Sequence, residues 1–167
     1  GVVTSDVTGV GTARTYLAAV GYGWDKALFG YGSAISVGAV SMVNLVATTG
    51  VVANDVTGVG TARYFLGAAG YGGDKAIFGY GVTTGVVSMT NLVSNTGVVA
   101  NDVTGVGTAR SELAAAGYGA DKAIFGYGYT GAYVSMTNLV SNTGVVGTDV
   151  TGVGTARIDL AAAGYGF

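Results

Sequence analysis

Apolar residues along this chain fall into short segments that glycine or Asn-Thr-Gly interrupts. The last complete series of segments is A, TARSELAAAGYG (108–119), B, DKAIFGYG (121–128), C, YVSMTNLVSN (133–142), and D, TGVVGTDVTGVG (143–154). In segment C, Val134, Met136 and Val140 alternate with Ser135 and Thr137, and a period of two is typical of a β-strand. The pattern therefore predicts four short strands per unit, with tight turns at SNTG and GYGxD.

The same segments recur through the whole sequence. The stretch DVTGVGTAR begins at Asp6, Asp55, Asp102 and Asp149, so successive copies lie 49, 47 and 47 residues apart. We divide the single repeat domain 1–167 into a partial unit and three full units, at 1–23, 24–72, 73–119 and 120–166. A period of about 47 fits a propeller blade or one turn of a solenoid.

The high glycine content argues against helices in these repeats and favours an all-β fold. The chain has 32 glycines among 167 residues and no proline. Interior glycines destabilise a helix by about 1 kcal/mol each relative to alanine. The abundant valine, threonine and tyrosine favour strands, so we expect an all-β fold.

Three of these segments resemble kelch repeats. DKAIFGYG resembles the kelch strand that ends in a glycine pair, VSMTNLVSNTGVV is similar to the third strand and its turn, and TARSELAAAG resembles the arginine-containing segment before the innermost strand. Gly-Tyr-Gly replaces the glycine pair, and the usual tryptophan after the third strand is missing. The copies also resemble glycine-rich repeats of marine bacteriophage tail and fibre proteins. The resemblance implies kelch-like propeller blades of four antiparallel strands, on a virion or an extracellular or cell surface.

The number of predicted strands leaves such a propeller incomplete. Segments D and A occur four times but B and C only three times, which gives about 3.5 blades, whereas propellers have roughly four to eight. We expect either a fragment of a longer array or association with other copies through open ends. A β-solenoid or filament stack, in which repeats touch only their neighbours, is the alternative.

Residue types exclude most chemistry. The chain has no histidine and no cysteine, and Gly-Tyr-Gly is followed by Lys26, Lys75 or Lys122 where a dinucleotide loop needs its third glycine. We therefore predict no enzyme activity, no catalytic residue, no cofactor and no metal. With a net charge of −2, we expect no nucleic-acid partner, and the absence of a long apolar run predicts no membrane insertion.

Charged residues that recur in every copy are assigned structural roles. The arginines are expected to donate to backbone or to a repeat aspartate across a unit boundary; they are Arg14, Arg63, Arg110 and Arg157. Asp55, Asp102 and Asp149 are expected to cap their own backbone in Asx-type turns, with a calcium ion as the alternative. In Asp25-Lys26 and its copies, neighbouring strand residues are expected to point to opposite faces.

Differences between the copies concentrate in the B–C loops and just after each arginine. Loops on a rigid scaffold commonly bind ligands, and aromatic side chains there anchor sugars or proteins. The candidate binding residues are Tyr16, Tyr64, Phe65, Tyr129 and Tyr133. We predict a structural and adhesive protein that binds a surface, glycan or protein through these loops. The alternative is a filament subunit that self-assembles without a small ligand.

Overall fold

The computed structural model describes residues 5–165, and within that range the chain is all-β, with eleven strands and no helix. The strands form four small antiparallel sheets, none of them closed. The first sheet contains β1 (Ala18–Tyr22), β2 (Lys26–Gly30) and β5 (Val43–Val46), and a short hairpin contains β3 (Ser33–Ala34) and β4 (Gly38–Ala39). The second sheet contains β6 (Gly67–Tyr71), β7 (Lys75–Gly79) and β8 (Thr90–Val93), and the third contains β9 (Ala114–Tyr118), β10 (Lys122–Tyr129) and β11 (Tyr133–Val140).

Each three-stranded sheet is built from consecutive A, B and C segments, with A from the end of one unit and B and C from the next, and B lies in the centre. The A–B connection is the tight turn expected from GYGxD, and in the first sheet Gly23 and Trp24 take φ values of 61° and 68°. The β3–β4 hairpin fills the first B–C loop, which is two residues longer than the loops of the other units. The all-β prediction is therefore confirmed.

Segment D does not form the predicted fourth strand. It meets segment C only through isolated bridges, such as Val46 to Val52 and Val43 to Val56. The physical reason lies in its glycines and its polar contacts. A side chain at Gly58 would collide with Ser41 of segment C, and Asp102 of the next D segment accepts from the Thr61 amide of the preceding unit.

Among the described residues the leading D segment and the trailing A segment likewise form no strand. The structure therefore has eleven strands, not the fourteen that four D, four A, three B and three C segments predict. The trailing segment contacts the third sheet through a parallel bridge between Tyr118 and Tyr165 and through a hydrogen bond from the Gly128 amide to the Arg157 carbonyl.

The hydrophobic cores lie between consecutive sheets. The Phe78 ring of the second sheet lies against Gly30 of the first, and the Phe125 ring of the third lies against Gly79, where a Cβ atom would come within 2.7 Å of it. Both rings are fully buried. Phe78 also packs edge-on against Tyr31, with ring centroids 5.0 Å apart. The chain is thus a stack of similar sheets, each held to the next by a phenylalanine over a glycine.

The two ends of the sheets differ in composition. At one end, which we call the loop end, each B–C loop pairs with the residue after the arginine, as Thr15 does with Ser33 and Ser111 does with Tyr129. The A–B and C–D turns lie at the other end, which we call the turn end. There, Gly97 of the second C–D turn lies against Tyr22 of the first sheet. The variable segments are therefore collected at the loop end.

Candidate binding surface at the loop end

A buried arginine holds each interior joint together. The Arg63 side chain is fully buried and donates from Nε to the Tyr80 carbonyl at 2.9 Å, from Nη1 to the Thr61 carbonyl at 3.2 Å and from Nη2 to Asn91 Oδ1 at 2.6 Å. Its guanidinium also lies 4.4 Å from the centroid of the Tyr31 ring. Burial lowers the pKa of the Arg63 guanidinium from its ordinary value, an effect that nearby Tyr31 and Asp102 oppose.

The other three arginines make similar contacts but differ in burial. Arg110 is also buried, donates to the Tyr127 carbonyl at 2.8 Å and lies 4.3 Å from the Tyr80 ring centroid. Arg14 is half-buried and donates to the Met42 carbonyl at 2.7 Å and to Asn44. Arg157 is exposed and stacks on Tyr127. The two buried arginines thus lie between the backbone of one sheet and a tyrosine ring of the sheet before it, which holds the stack together.

The recurring aspartates link one unit to the preceding one, which corrects the expected local turns. The Asp102 carboxylate accepts from the Thr61 amide at 3.0 Å and hydroxyl at 2.6 Å and from Asn91 Nδ2 at 2.9 Å. Asp55 and Asp149 make the same contacts in their own units. Each carboxylate therefore joins a threonine about forty residues earlier to an asparagine 11 residues earlier.

A row of four left-handed residues runs along the loop end. Tyr16, Phe65, Glu112 and Asp159 stand two positions after their arginines and have φ values of 55°, 54°, 54° and 52°. The amide of Phe65 donates to the carbonyl of Tyr16 at 3.0 Å, Glu112 to Phe65 at 3.1 Å and Asp159 to Glu112 at 3.2 Å. We call these four residues the left-handed row. Its hydrogen bonds align the four side chains across the stack.

Aromatic residues cluster where the row begins. The ring centroids of Tyr16 and Phe65 are 4.1 Å apart, those of Tyr64 and Phe65 5.3 Å and those of Tyr16 and Tyr64 6.3 Å. The Tyr16 side chain remains 56 % exposed. The structure thus joins three of the five predicted binding residues in one patch, which we call the aromatic patch.

The other two predicted residues form a separate pair beside the third sheet. The rings of Tyr129 and Tyr133 lie 6.1 Å apart at a steep angle, and both are exposed. Tyr129 pairs through its backbone with Ser111, next to Glu112 in the chain. Burial raises the pKa of Glu112 above its ordinary value, and the neighbouring charge of Asp159 raises it further.

The acidic half of the row is absent from the residues predicted from the sequence. Glu112 and Asp159 occupy the same position as Tyr16 and Phe65 when the copies are aligned on their arginines. The alignment of the copies identifies both acids as variable residues. The prediction of binding residues includes only aromatic side chains, because these are the usual anchors of sugars and proteins.

At the turn end, each aspartate pairs with the lysine that follows it. Asp74 Oδ1 lies 2.7 Å from Lys75 Nζ, and the first and third units have similar pairs at 3.2 and 3.1 Å. The expectation that these neighbours point apart is wrong, because the aspartate lies in the turn and not in the strand. The pairs are exposed, and such pairs contribute less than about 1 kcal/mol.

The described residues contain cavities but no cluster of metal-ligating side chains. Among residues 5–165 no group of three or more histidine, cysteine, aspartate or glutamate side chains is placed to hold a metal ion. A cavity of about 500 Å³ runs along the A segments and is lined mainly by alanine, glycine and tyrosine, together with Lys26, Lys75 and Lys122.

No family model and no curated protein matches this chain. Within the described residues, no helix is long and apolar enough to cross a membrane.

Proposed function

We propose that this protein is a non-enzymatic structural and adhesive component of a virion or an extracellular appendage, and that its loop end binds glycans. In this proposal each sheet with its D segment is a kelch-like propeller blade, and the stacked blades form a rigid support. The left-handed row and the aromatic patch form the binding surface.

The backbone of the row is the observation that carries the proposal. A φ near +55° is unfavourable for a residue with a side chain, by roughly 1–2 kcal/mol, whereas glycine adopts it without strain. This chain uses glycine at many left-handed positions, such as Gly32 and Gly81. In the row, all four copies carry a large or charged side chain instead. Tyr31, Tyr80 and Tyr127 also have positive φ values, of 61°, 64° and 65°, but Tyr31 and Tyr80 are buried between the sheets and Tyr127 stacks on Arg157, whereas the row lies at the loop end. Strain of this kind is characteristic of functional sites.

The chemistry of the surface favours a sugar. Exposed aromatic faces such as that of Tyr16 stack on the apolar face of a sugar ring. Carboxylates accept hydrogen bonds from hydroxyl groups, and Glu112 lies next to Phe65 in the row. An aromatic platform followed by two acids matches an uncharged or hydroxyl-rich glycan better than an anionic one, which Glu112 and Asp159 would repel.

Binding to a printed glycan array tests this proposal. Tyr16→Ala, Tyr64→Ala and Tyr129→Ala each remove one aromatic face and are expected to weaken binding about tenfold, the effect of losing one stacking contact of about 1.4 kcal/mol. Trp24→Ala is the matched control, because Trp24 is also aromatic and 76 % exposed but lies in an A–B turn at the turn end. Unchanged binding by all three tyrosine variants, or an equal loss in the control, would contradict the proposal.

A further inference from the structure

The first sheet exposes a face that the other two sheets bury. We call it the leading face. Phe29 is 38 % exposed, whereas its equivalents Phe78 and Phe125 are fully buried. The same difference holds for four more apolar positions of this face, which are partly exposed in the first unit and buried in the second and third: Leu17, Ala27, Val46 and Val52.

Two glycines at the leading face lack the contacts with segment C that their equivalents make at the interior joints. A Cβ atom added at Gly9 or Gly50 would have no neighbouring atom within 4 Å. Of their equivalents, Gly58 lies against Ser41 in segment C of its own unit, and Gly97 lies against Leu45 in segment C of the preceding unit. A groove of about 840 Å³ lies between residues 7–12 and the first sheet, with Phe29 in its wall. The groove therefore has the shape that segment C fills at each interior joint.

The third sheet carries the complementary surface, which we call the trailing face. A Cβ atom at Gly126 would meet only Thr137, at 3.3 Å, whereas its equivalents Gly30 and Gly79 lie under phenylalanine rings. Leu139, in segment C of this unit, is 45 % exposed. The trailing face thus offers a glycine without a phenylalanine, and the leading face offers a phenylalanine without a glycine.

If the leading face of one chain stacked on the trailing face of another, residues 6–14 of the first chain would occupy the same place as residues 149–157 of the second. The stretch at 149–157 has the same nine residues as the stretch at 6–14, DVTGVGTAR. On the third sheet it already occupies the position that a following unit would fill with its own D segment, where Asp149 accepts from Thr108 and Asn138. Its arginine, Arg157, is exposed where Arg63 and Arg110 are buried.

We propose that a second copy of this chain docks head to tail, with its leading face on the trailing face of the first, and that its residues 6–22 replace residues 149–165 there. Asp159 and Tyr165 already contact Glu112 and Tyr118 where the equivalent residues of the second copy, Tyr16 and Tyr22, would lie. The two segments differ at three of seventeen positions, so the exchange swaps nearly identical contacts and costs little, as in domain swapping.

Association is stabilised by the burial of Phe29 and its apolar neighbours against Gly126 of the other copy. This contact has the geometry of the two interior joints, where Phe78 lies against Gly30 and Phe125 against Gly79. Because the two faces differ, the contact is heterologous and extends into open chains.

Complementary variants test the joint. Phe29→Asp spoils only the leading face, and Gly126→Val spoils only the trailing face, so each variant alone is expected to lose self-association about tenfold or more. An equimolar mixture retains one intact pair of faces and should form a 1:1 complex that grows no further in sedimentation-velocity ultracentrifugation. Ile35→Asp is the control, since Ile35 is 99 % exposed in the β3–β4 hairpin and should leave association unchanged.

Three outcomes would overturn the joint. They are a wild-type chain that remains monomeric at high micromolar concentration, single variants that associate as the wild type does, and a mixture that forms no complex. Far-UV circular dichroism of each variant, compared with Ile35→Asp, verifies that a loss of association is not a loss of folding.

A disulfide lock tests the exchange separately. Thr137 and Val150 form a hydrogen-bonded antiparallel bridge, and the chain has no cysteine of its own. In Thr137→Cys/Val150→Cys, oxidation ties residues 149–165 to the third sheet, and association is expected to fall about tenfold; reduction of the same sample should restore it. Equal association of the oxidised and reduced protein would overturn the exchange.

Discussion

Replacing Arg63 with alanine is expected to lower the free energy of unfolding by about 3–5 kcal/mol. Arg63 donates three hydrogen bonds and stacks on Tyr31. Hydrogen bonds from a charged donor contribute about 1.5–3 kcal/mol each, and a desolvated cation–π contact about 2 kcal/mol. Recovered hydration of the guanidinium offsets part of this sum, while the carbonyl of Tyr80 and the amide oxygen of Asn91 lose a buried donor.

The repeat provides its own controls for this prediction. Arg110→Ala should behave like Arg63→Ala, because Arg110 is equally buried. Arg14→Ala removes a half-buried side chain that donates to Met42 and Asn44, and we expect a loss of about 1–2 kcal/mol. Arg157 is exposed, so its removal should have the smallest effect of the four.

Urea unfolding followed by far-UV circular dichroism measures this series. We expect the largest losses for Arg63 and Arg110, a smaller one for Arg14 and the smallest for Arg157. An equal loss in all four variants would show that burial in the joint does not determine the contribution of the arginine.

Further predictions concern glycine packing and pH. Gly79→Ala places a Cβ within 2.7 Å of the buried Phe125 ring and should lower the free energy of unfolding by about 1–3 kcal/mol. Gly85→Ala is the control, because a Cβ there has open space around it and should change the free energy of unfolding little. Thermal unfolding of both variants checks this. Burial raises the pKa of Asp102, but hydrogen bonds from Thr61 and Asn91 outweigh it and hold the pKa below 3.8. Its stabilising effect is therefore present above about pH 4 and lost as the pH falls further, and urea titrations from about pH 5 to about pH 2.5 should show a shallower loss in Asp102→Asn. Burial raises the pKa of Tyr31 to about 12 from an ordinary value of 10.0, so stability should fall between about pH 10 and pH 12, and unfolding measured at about pH 9 and about pH 11.5 should show a smaller fall in Tyr31→Phe.

Local patterns in the sequence predicted the strands of segments A, B and C and the turns between them. Alternation in segment C and the glycines of GYGxD act over a few residues, and the structure contains β11 and the A–B turns at those places. Segment D has similar composition, but its Asp102 accepts a hydrogen bond from the amide of Thr61, 41 residues away. A contact at that distance has no local signature, so the fourth strand was predicted where only isolated bridges form.

The same limit applies to the binding surface. Variation between copies indicated the loop end, because aligned repeats show which positions are free to differ. The left-handed φ values of Tyr16 and Phe65 could not be predicted, since tyrosine and phenylalanine normally avoid that region. The hydrogen bonds that impose it connect neighbouring units, and they become visible only when the sheets are stacked.

Hydroxyl-radical footprinting, with and without the glycan that binds tightest on the array, tests most directly whether the loop end is the binding surface. We expect reduced oxidation of Tyr16, Tyr64 and Phe65 in the presence of the glycan and unchanged oxidation of Trp24 at the turn end. Unchanged oxidation of the aromatic patch, or protection of Trp24 instead, would show that the glycan binds elsewhere.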